Sequence, residues 1–265
     1  LLFSCPLAVS GEVGPVSMYP GSSQHPRDFS LYQGRPFAPF VGRCFCAPPV
    51  CCASSMAQKE LILTDFQSLG LPALLADSLK AAGFVEPTKI QSQAIPKLLE
   101  GRDMMGIAQT GSGKTAAFGL PILAGLLALE GRPRPLTTRA LILAPTRELA
   151  VQIDESLRKF AAKAMKLETV LLLGGVSRHH QIKRLERGVD ITVATPGRLK
   201  DLVDDGKLKL AGTRWLVLDE ADRMLDMGFI LPVRHIAKAI GEKRQTMMFS
   251  ATMAPEVAGL AKSLL

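Results

Sequence analysis

Residues 108–115 read Ala-Gln-Thr-Gly-Ser-Gly-Lys-Thr, and this stretch decides the fold class of the chain. An apolar run over 104–108 leads into it, and helix-forming sequence continues over 114–129. Glycines let the backbone curl so that several N–H groups point at one phosphate at the start of a helix. The succession of strand, loop and helix therefore predicts a phosphate-binding loop. Ala108 stands where such loops usually begin with glycine, and its small side chain is expected to leave the loop intact.

A second apolar run, 215–218, ends in the carboxylates of Asp219 and Glu220. Asp219 is predicted to hold Mg²⁺, and Glu220 to orient or deprotonate an attacking water. The alternative is an acidic helix start, which the helix dipole favours. Because a phosphate loop is also present, the interpretation of Asp219 and Glu220 as catalytic carboxylates is favoured. Lys114 is then expected to contact the β and γ phosphates of a nucleotide, and the Thr115 hydroxyl to bind Mg²⁺.

Short apolar strands alternate with amphipathic helices along most of the chain. The strands are predicted over 104–108, 139–144, 167–173, 190–194, 215–218 and 245–249. Because each strand is almost continuously apolar, the pattern predicts an α/β fold with a parallel sheet covered by helices on both faces. In the first helix, Leu71, Leu74, Leu75 and Leu79 are predicted to share one face, and Gly83 to end it.

Residues 1–55 are rich in Pro, Gly, Ser and Cys and have no sustained periodicity. They predict a disordered or non-native leader before a domain at 56–265. All five cysteines fall within the first 52 residues, so the remainder fits a cytoplasmic enzyme that needs no disulfide. No apolar run reaches 18 residues, and no membrane span is predicted. The net charge of +8 is compatible with a nucleic-acid partner and equally with a soluble basic surface.

Residues 219–222 read Asp-Glu-Ala-Asp, and together with other motifs in the same order they resemble the first domain of the DEAD-box RNA helicases. The stretch 83–91 is similar to the Q motif of that family, 145–149 to motif Ia, 174–175 to the GG element, 195–198 to motif Ib and 250–252 to motif III. The resemblance covers about residues 60–265. It implies a RecA-like P-loop NTPase domain, and the bacterial RhlE-like subgroup is expected to be nearest.

The same resemblance implies ATP and Mg²⁺ as cofactors. It implies that Gln91 hydrogen-bonds the adenine edge and that Phe66 stacks on the ring; without it, Gln91 is an ordinary helix residue and Phe66 a core residue. The predicted ATP-binding residues are Phe66, Gln91, Ala108, Gln109, Thr110, Gly111, Ser112, Gly113, Lys114 and Thr115. The predicted catalytic residues are Lys114, Asp219 and Glu220, and the predicted metal ligands are Thr115 and Asp219.

A surface that grips RNA without reading its bases is also implied. Its residues are Pro145, Thr146, Arg147, Gly174, Gly175, Thr195, Pro196, Gly197 and Arg198. N-capping is the alternative for Thr146 and Thr195, and both roles can coexist because a helix N-terminus attracts phosphate. Coupling between the nucleotide and RNA sites is implied for Asp222, Ser250, Ala251 and Thr252.

Helicases of this kind need a second RecA-like domain, and nothing after motif III resembles one before Leu265. We therefore expect the ATP-binding half of an ATP-dependent RNA helicase, nearly inactive alone. RNA is the expected partner, with proteins of ribosome assembly or RNA decay as further candidates. One alternative is a different P-loop NTPase, either a DNA motor or a GTPase. The GTPase is disfavoured because the chain lacks the Asn-Lys-x-Asp motif that reads the guanine base. The other is a free-standing nucleotide- or RNA-binding module.

Overall fold

A computed structural model of the chain describes the backbone of Leu2–Ser4 and all of residues 65–265. The predicted leader, 1–55, lies outside the described residues apart from that short strand, as do residues 56–64. Its predicted disorder and the domain boundary at 56 therefore stay predictions.

The described residues form a seven-stranded sheet with the order β1-β2-β7-β6-β3-β5-β4. The strands are β1 (Leu2–Ser4), β2 (Met104–Ile107), β3 (Thr138–Leu143), β4 (Thr169–Leu172), β5 (Val189–Ala194), β6 (Trp215–Leu218) and β7 (Gln245–Ser250). Strand β1 pairs antiparallel with β2, and the other pairings are parallel. The six strands predicted from apolar runs are all present, with ends that differ by at most two residues.

Helices connect and cover these strands. Within the described ranges they are α1 (Ala73–Ala81), α2 (Lys89–Leu99), α3 (Lys114–Leu127), α4 (Arg147–Ala161), α5 (Arg178–Leu185), α6 (Pro196–Asp204), α7 (Ala221–Asp226), α8 (Ile230–Ile240) and α9 (Pro255–Leu264). None of the helices in this part of the chain is long and apolar enough to cross a membrane.

The core lies in two layers, one on each face of the sheet. Helices α1 to α4 pack on one face, where Ile142 and Val217 are fully buried. Helices α5 to α9 pack on the other, where Leu141 and Leu216 are fully buried. Successive strand residues point to opposite faces, so a strand covered on both sides must be apolar throughout. The predicted α/β fold with both faces covered is confirmed.

The prediction for the first helix was partly wrong. Leu75 and Leu79 are buried in α1, but the side chain of Leu74 is 61% exposed. Leu71 is buried too, yet it lies two residues before the helix begins. Residues four apart share a helix face, whereas Leu74 is turned about 100° away from Leu75. Gly83 follows α1 with a φ of +86°, as a helix stop requires.

The strand order brings the distant motifs together. Strand β7 lies between β2 and β6, so the segments that follow these three strands are neighbours at one edge of the sheet. The Ala108 N–H donates to the Ser250 carbonyl at 3.0 Å, and the Asp219 N–H donates to the Leu143 carbonyl at 3.0 Å. In a parallel sheet the carboxyl ends of the strands are where ligands bind.

Candidate active site

The loop at 108–115 has the backbone that the sequence predicts. Gly111 and Gly113 have φ angles of +83° and +92°, a left-handed conformation that side chains disfavour. Gly113 is the N-cap of α3, and Lys114 is its first residue. The Ser112 hydroxyl donates to the Gln109 carbonyl at 2.7 Å, which closes the turn. The loop thus presents the N-terminus of a long buried helix at the sheet edge.

Lys114 lies in this loop with a buried ammonium group. The residue is 6% exposed, and its Nζ is 3.7 Å from Oδ1 of Asp219. Among the buried side-chain nitrogens and oxygens of the described residues, only Lys114 Nζ and Thr192 Oγ1 have no hydrogen-bond partner. An ammonium has three donors and no acceptor, and a buried donor left unsatisfied is costly. Phosphate oxygens are the acceptors that fit such a group.

Asp219 is 2% exposed, and burial raises the pKa of its carboxyl to about 6, against the opposing effect of the Lys114 cation. A metal ion would favour the ionised form. Within the described residues no cluster of three or more His, Cys, Asp or Glu side chains is arranged for a metal. Mg²⁺ needs few protein ligands when phosphates and waters complete its shell. The oxygens of Thr115 and Asp219 fit that requirement.

Glu220 follows with a left-handed backbone, at a φ of +53°. Such a conformation is strained for a residue other than glycine and often marks a functional site. Its carboxylate faces the phosphate loop: Oε1 accepts from the Thr110 hydroxyl at 3.3 Å, and Oε2 lies 3.4 Å from Nη1 of Arg223. The backbone therefore turns the carboxylate towards the place where a nucleotide would lie.

Gln91 contacts the same loop from α2. Its Oε1 accepts from the Thr88 N–H at 2.9 Å, and its Nε2 donates to the Gly113 carbonyl at 3.1 Å. Thr88 and Gln91 form a capping box, and the Thr88 hydroxyl donates to the Ser112 carbonyl at 3.0 Å. The spacing Thr-x-x-Gln could have revealed this box, which the motif interpretation overlooked. Contact between Gln91 and adenine stays a prediction.

Phe66 is packed in the core and only 3% exposed. One side of it borders a small cavity of about 250 Å³ together with Ala76 and Phe84. Phe66 therefore lies in the core, as the alternative interpretation predicts. Stacking of adenine on the ring also stays a prediction.

Asp222 joins the acidic box to residues 250–252. Its Oδ2 accepts from the Ala251 N–H at 3.0 Å, from the Thr252 N–H at 3.1 Å and from the Thr252 hydroxyl at 3.2 Å. Burial by itself raises the pKa of Asp222, but hydrogen bonds from Arg223, Ser250, Ala251 and Thr252 outweigh it and hold the pKa below 3.8. The segments predicted to couple nucleotide and RNA are therefore in direct contact.

The two predicted RNA-binding threonines differ. Thr146 is the N-cap of α4 and accepts from the Leu149 N–H at 3.3 Å, so the capping role is present there. Thr195 precedes α6, whose first residue is Pro196, and makes no side-chain capping bond. Capping therefore does not account for the Thr195 hydroxyl.

Two of the remaining predicted RNA contacts, Gly174 and Gly175, lie close to Arg147. A Cβ added at Gly175, where φ is +72°, would lie 2.5 Å from Nη2 of Arg147, and one at Gly174 would lie 3.9 Å away. The glycines thus allow the guanidinium to approach the backbone closely. Nη1 of Arg198 donates to the Val176 carbonyl at 3.1 Å. Segments 145–147, 174–176 and 195–198, the last with Gly197, form one surface after β3, β4 and β5.

Comparisons with known proteins agree with this arrangement. The family described as DEAD/DEAH box helicase matches residues 88–260. The chain is 48% identical over 206 residues to ATP-dependent RNA helicase DBP2 of Mycosarcoma maydis, across 77% of this chain and 37% of that protein. It is 45% identical over 201 residues to DEAD-box ATP-dependent RNA helicase 20 of Arabidopsis thaliana, across 76% of this chain and 40% of that protein.

A solved structure is also similar. The DEAD box protein from the hyperthermophile Methanococcus jannaschii matches with a TM-score of 0.69 and 36% identity, across 76% of this chain and 54% of that one. The chain spans well under half the length of the two curated relatives. Both come from eukaryotes, so the expected RhlE-like bacterial subgroup is not confirmed. The match to the family over more than half of the chain, together with the RecA-like fold, shows that the chain belongs to the DEAD/DEAH box helicases.

Proposed function

We propose that the chain is the ATP-binding half of an ATP-dependent RNA helicase, which couples ATP hydrolysis to the separation of RNA duplexes when joined to a second RecA-like domain. The names of the relatives and the ordered motifs support this activity. The cytoplasm is the proposed compartment. Proteins of ribosome assembly or RNA decay are the proposed further partners.

One observation carries the proposal for ATP: the buried Nζ of Lys114 has no hydrogen-bond partner and lies beside Asp219 in a loop with left-handed glycines. The β and γ phosphates would supply the acceptors that Nζ lacks, and the N–H groups at the start of α3 would bind the same phosphates. Thr115 and Asp219 would hold Mg²⁺. When bound, this ion supplies positive charge that offsets the charge of the phosphates.

Glu220 is the proposed base or orienting group for the attacking water. Its strained backbone and its contact with Thr110 hold the carboxylate against the loop. General-base catalysis requires a group within hydrogen-bond reach of the water, and a carboxylate at the loop meets that requirement.

RNA would bind by its backbone along the surface around Arg147. Helix N-termini, hydroxyls and guanidinium groups contact phosphates and sugars without reading sequence. Asp222 accepts hydrogen bonds from the N–H groups of residues 251 and 252, which supports the proposal that this carboxylate couples ATP binding to RNA binding.

The nucleotide site is tested by Lys114→Ala in this chain. Loss of a charge-assisted contact to phosphate should weaken binding of fluorescent ATP about 10- to 100-fold. Lys262→Ala, at an exposed position on α9, is the control and should bind as the wild type does. Equal ATP affinity in the Lys114 variant would contradict the loop assignment.

The catalytic role is tested by Glu220→Gln in the chain joined to its second domain. The amide keeps the shape of the side chain and cannot accept a proton, so ATP and RNA binding should persist while turnover is lost. Glu256→Gln, exposed on α9, is the matched control. Unchanged turnover would remove Glu220 from the mechanism.

Two competition experiments separate the alternatives. Displacement of ATP by GTP at equal concentration would favour a different P-loop NTPase. Equal binding of RNA and DNA of the same sequence would show that the 2′-OH is not recognised and would favour a DNA motor.

A further inference from the structure

A large cavity lies at the opposite end of the strands from the active site. Its volume is about 800 Å³, and its walls come from residues 131–133, from the starts of β4 and β5, and from the end of α5 with the turn that follows. The motif segments follow the carboxyl ends of the strands, whereas this cavity borders the amino ends of β4 and β5. Strands of four to six residues separate the two edges by about 13–20 Å. We call it the rear cavity.

Positive charge surrounds the rear cavity. Its exposed cations are Arg132, Lys166, Lys183, Arg184 and Arg187. Only Lys166 among them forms an ion pair with a described residue, at 3.8 Å from Oε1 of Glu168. Glu186 is the other exposed carboxylate in the walls. Cations from three separate segments therefore converge on one concave surface with few anions to balance them.

A partly buried ion pair fixes the shape of the rear cavity. Asp190 is 5% exposed, and its Oδ1 lies 3.2 Å from Nη1 of Arg139. Nη2 of Arg139 donates to the Gly131 carbonyl at 2.7 Å, and Oδ2 of Asp190 accepts from the Glu168 N–H at 3.2 Å. These bonds tie together the loop before β3 and the starts of β4 and β5. The cavity is thus preformed, as ligand sites usually are.

The backbone around Gly188 is equally constrained. A Cβ at this position would lie 2.4 Å from the Arg134 carbonyl, and φ is +72°, so glycine allows the turn after α5 to touch the loop before β3. This contact brings Arg187 towards the segment that carries Arg132. The backbone itself therefore brings these cationic segments together, whatever rotamers their side chains adopt.

Apolar side chains complete the walls. Leu129, Met165 and Val189 line the rear cavity between the cations. An apolar surface beside several cations suits a nucleotide chain, because bases and sugars can lie on the apolar part while phosphates meet the charges. Arginine binds two phosphate oxygens through parallel hydrogen bonds, so its guanidinium group recognises the geometry of a phosphate as well as its charge.

We propose that the rear cavity binds the phosphate backbone of single-stranded RNA, as a second contact outside the helicase cleft. The choice of RNA rests on the proposed function, whereas the anion site rests on the cavity alone. The rear cavity shares no residue with the ATP site, so this binding should occur without nucleotide. It would hold a strand on the protein while the cleft is empty.

The test is a triple variant of the 265-residue chain, Arg132→Gln, Lys183→Gln and Arg187→Gln. Binding of a fluorescent single-stranded RNA is measured by anisotropy over a range of salt concentrations, without nucleotide. Loss of three phosphate contacts should lower affinity about tenfold or more at low salt. It should also reduce the slope of log affinity against log salt by about 2, at about 0.7 per contact.

A second triple variant removes the same charge elsewhere. Lys207→Gln, Lys238→Gln and Lys243→Gln change exposed lysines outside the rear cavity and should leave the slope as in the wild type. Equal slopes in the two triple variants would overturn the proposal. A wild-type chain that binds ATP but no RNA would also overturn the proposal, whereas loss of ATP binding would count against the proposed function.

Two further measurements keep the test decisive if the first variant misfolds. Ultraviolet crosslinking of RNA to the wild-type chain should label peptides that contain 131–134 or 183–188. Labelling confined to the motif segments would overturn the proposal. Polyglutamate of matched charge should displace RNA poorly from the wild type, and equal displacement would identify a site for acidic proteins instead.

Discussion

Asp222 illustrates how one carboxylate can hold an active site together at the scale of a residue. It accepts bonds from two N–H groups and a hydroxyl that lie 29 and 30 positions further along the chain. Asp222→Asn keeps the shape but loses the charge, so we expect a loss of about 1–2 kcal/mol in the free energy of unfolding. Urea denaturation at pH 7 measures it. Asp226→Asn, at the exposed end of α7, should change the free energy by less than about 0.5 kcal/mol.

The same carboxylate predicts a dependence on pH. Its pKa is held below the ordinary value of 3.8 in the folded chain, so its stabilising contribution is present above about pH 4 and is lost as the pH falls through the folded pKa. The difference in unfolding free energy between the wild type and Asp222→Asn should therefore shrink as the pH falls below the ordinary pKa of 3.8 towards the folded pKa. A difference that stays constant as the pH falls would show that the negative charge of Asp222 does not stabilise the folded chain.

At the scale of the element, the six parallel strands followed from local pattern, whereas strand β1 and the contacts between elements did not. Apolar runs identified the parallel strands because both faces of the sheet are covered. The buried face of α1 was misjudged at Leu74, because that residue lies about 100° around the helix from Leu75. The bond from Gln91 to Gly113 joins residues 22 positions apart, and no local pattern contains it.

The close fit of α3 against the sheet gives a prediction at this scale. A Cβ added at Gly125 would lie 2.4 Å from Cζ2 of Trp215, whereas one at Gly259 in α9 would meet nothing within 4 Å. Alanine favours a helix over glycine by about 1 kcal/mol, so Gly259→Ala should stabilise the chain. Gly125→Ala should destabilise it by about 1–3 kcal/mol, because the indole ring must shift.

Chemical denaturation of both glycine variants measures these changes. Because α3 begins with Lys114, Gly125→Ala should also weaken ATP binding, while Gly259→Ala should leave it unchanged. Stabilisation by both alanines would show that the ring gives way and that the contact does not restrict α3.

At the scale of the whole molecule, the proposed function makes the chain one wall of a nucleotide site. In phosphoryl-transfer enzymes an arginine supplied from elsewhere is worth about 10³–10⁵ in rate, and the family resemblance implies that it comes from the second domain. We predict that the 265-residue chain binds ATP but releases phosphate only slightly faster than Lys114→Ala does, with or without RNA. Rapid RNA-stimulated phosphate release by the chain alone would contradict this.

The position of β7 also determines when the sheet can assemble as the chain folds. This strand, Gln245–Ser250, fills the gap between β2 and β6. During synthesis the loop at 108–115 leaves the ribosome long before residues 245–250, yet β2, which leads into it, gains its parallel neighbour only when they arrive. Pairing across so long a stretch of chain is intrinsically slow. A nascent chain halted before residue 245 would therefore carry the phosphate loop and the acidic box with no shared sheet edge to join them.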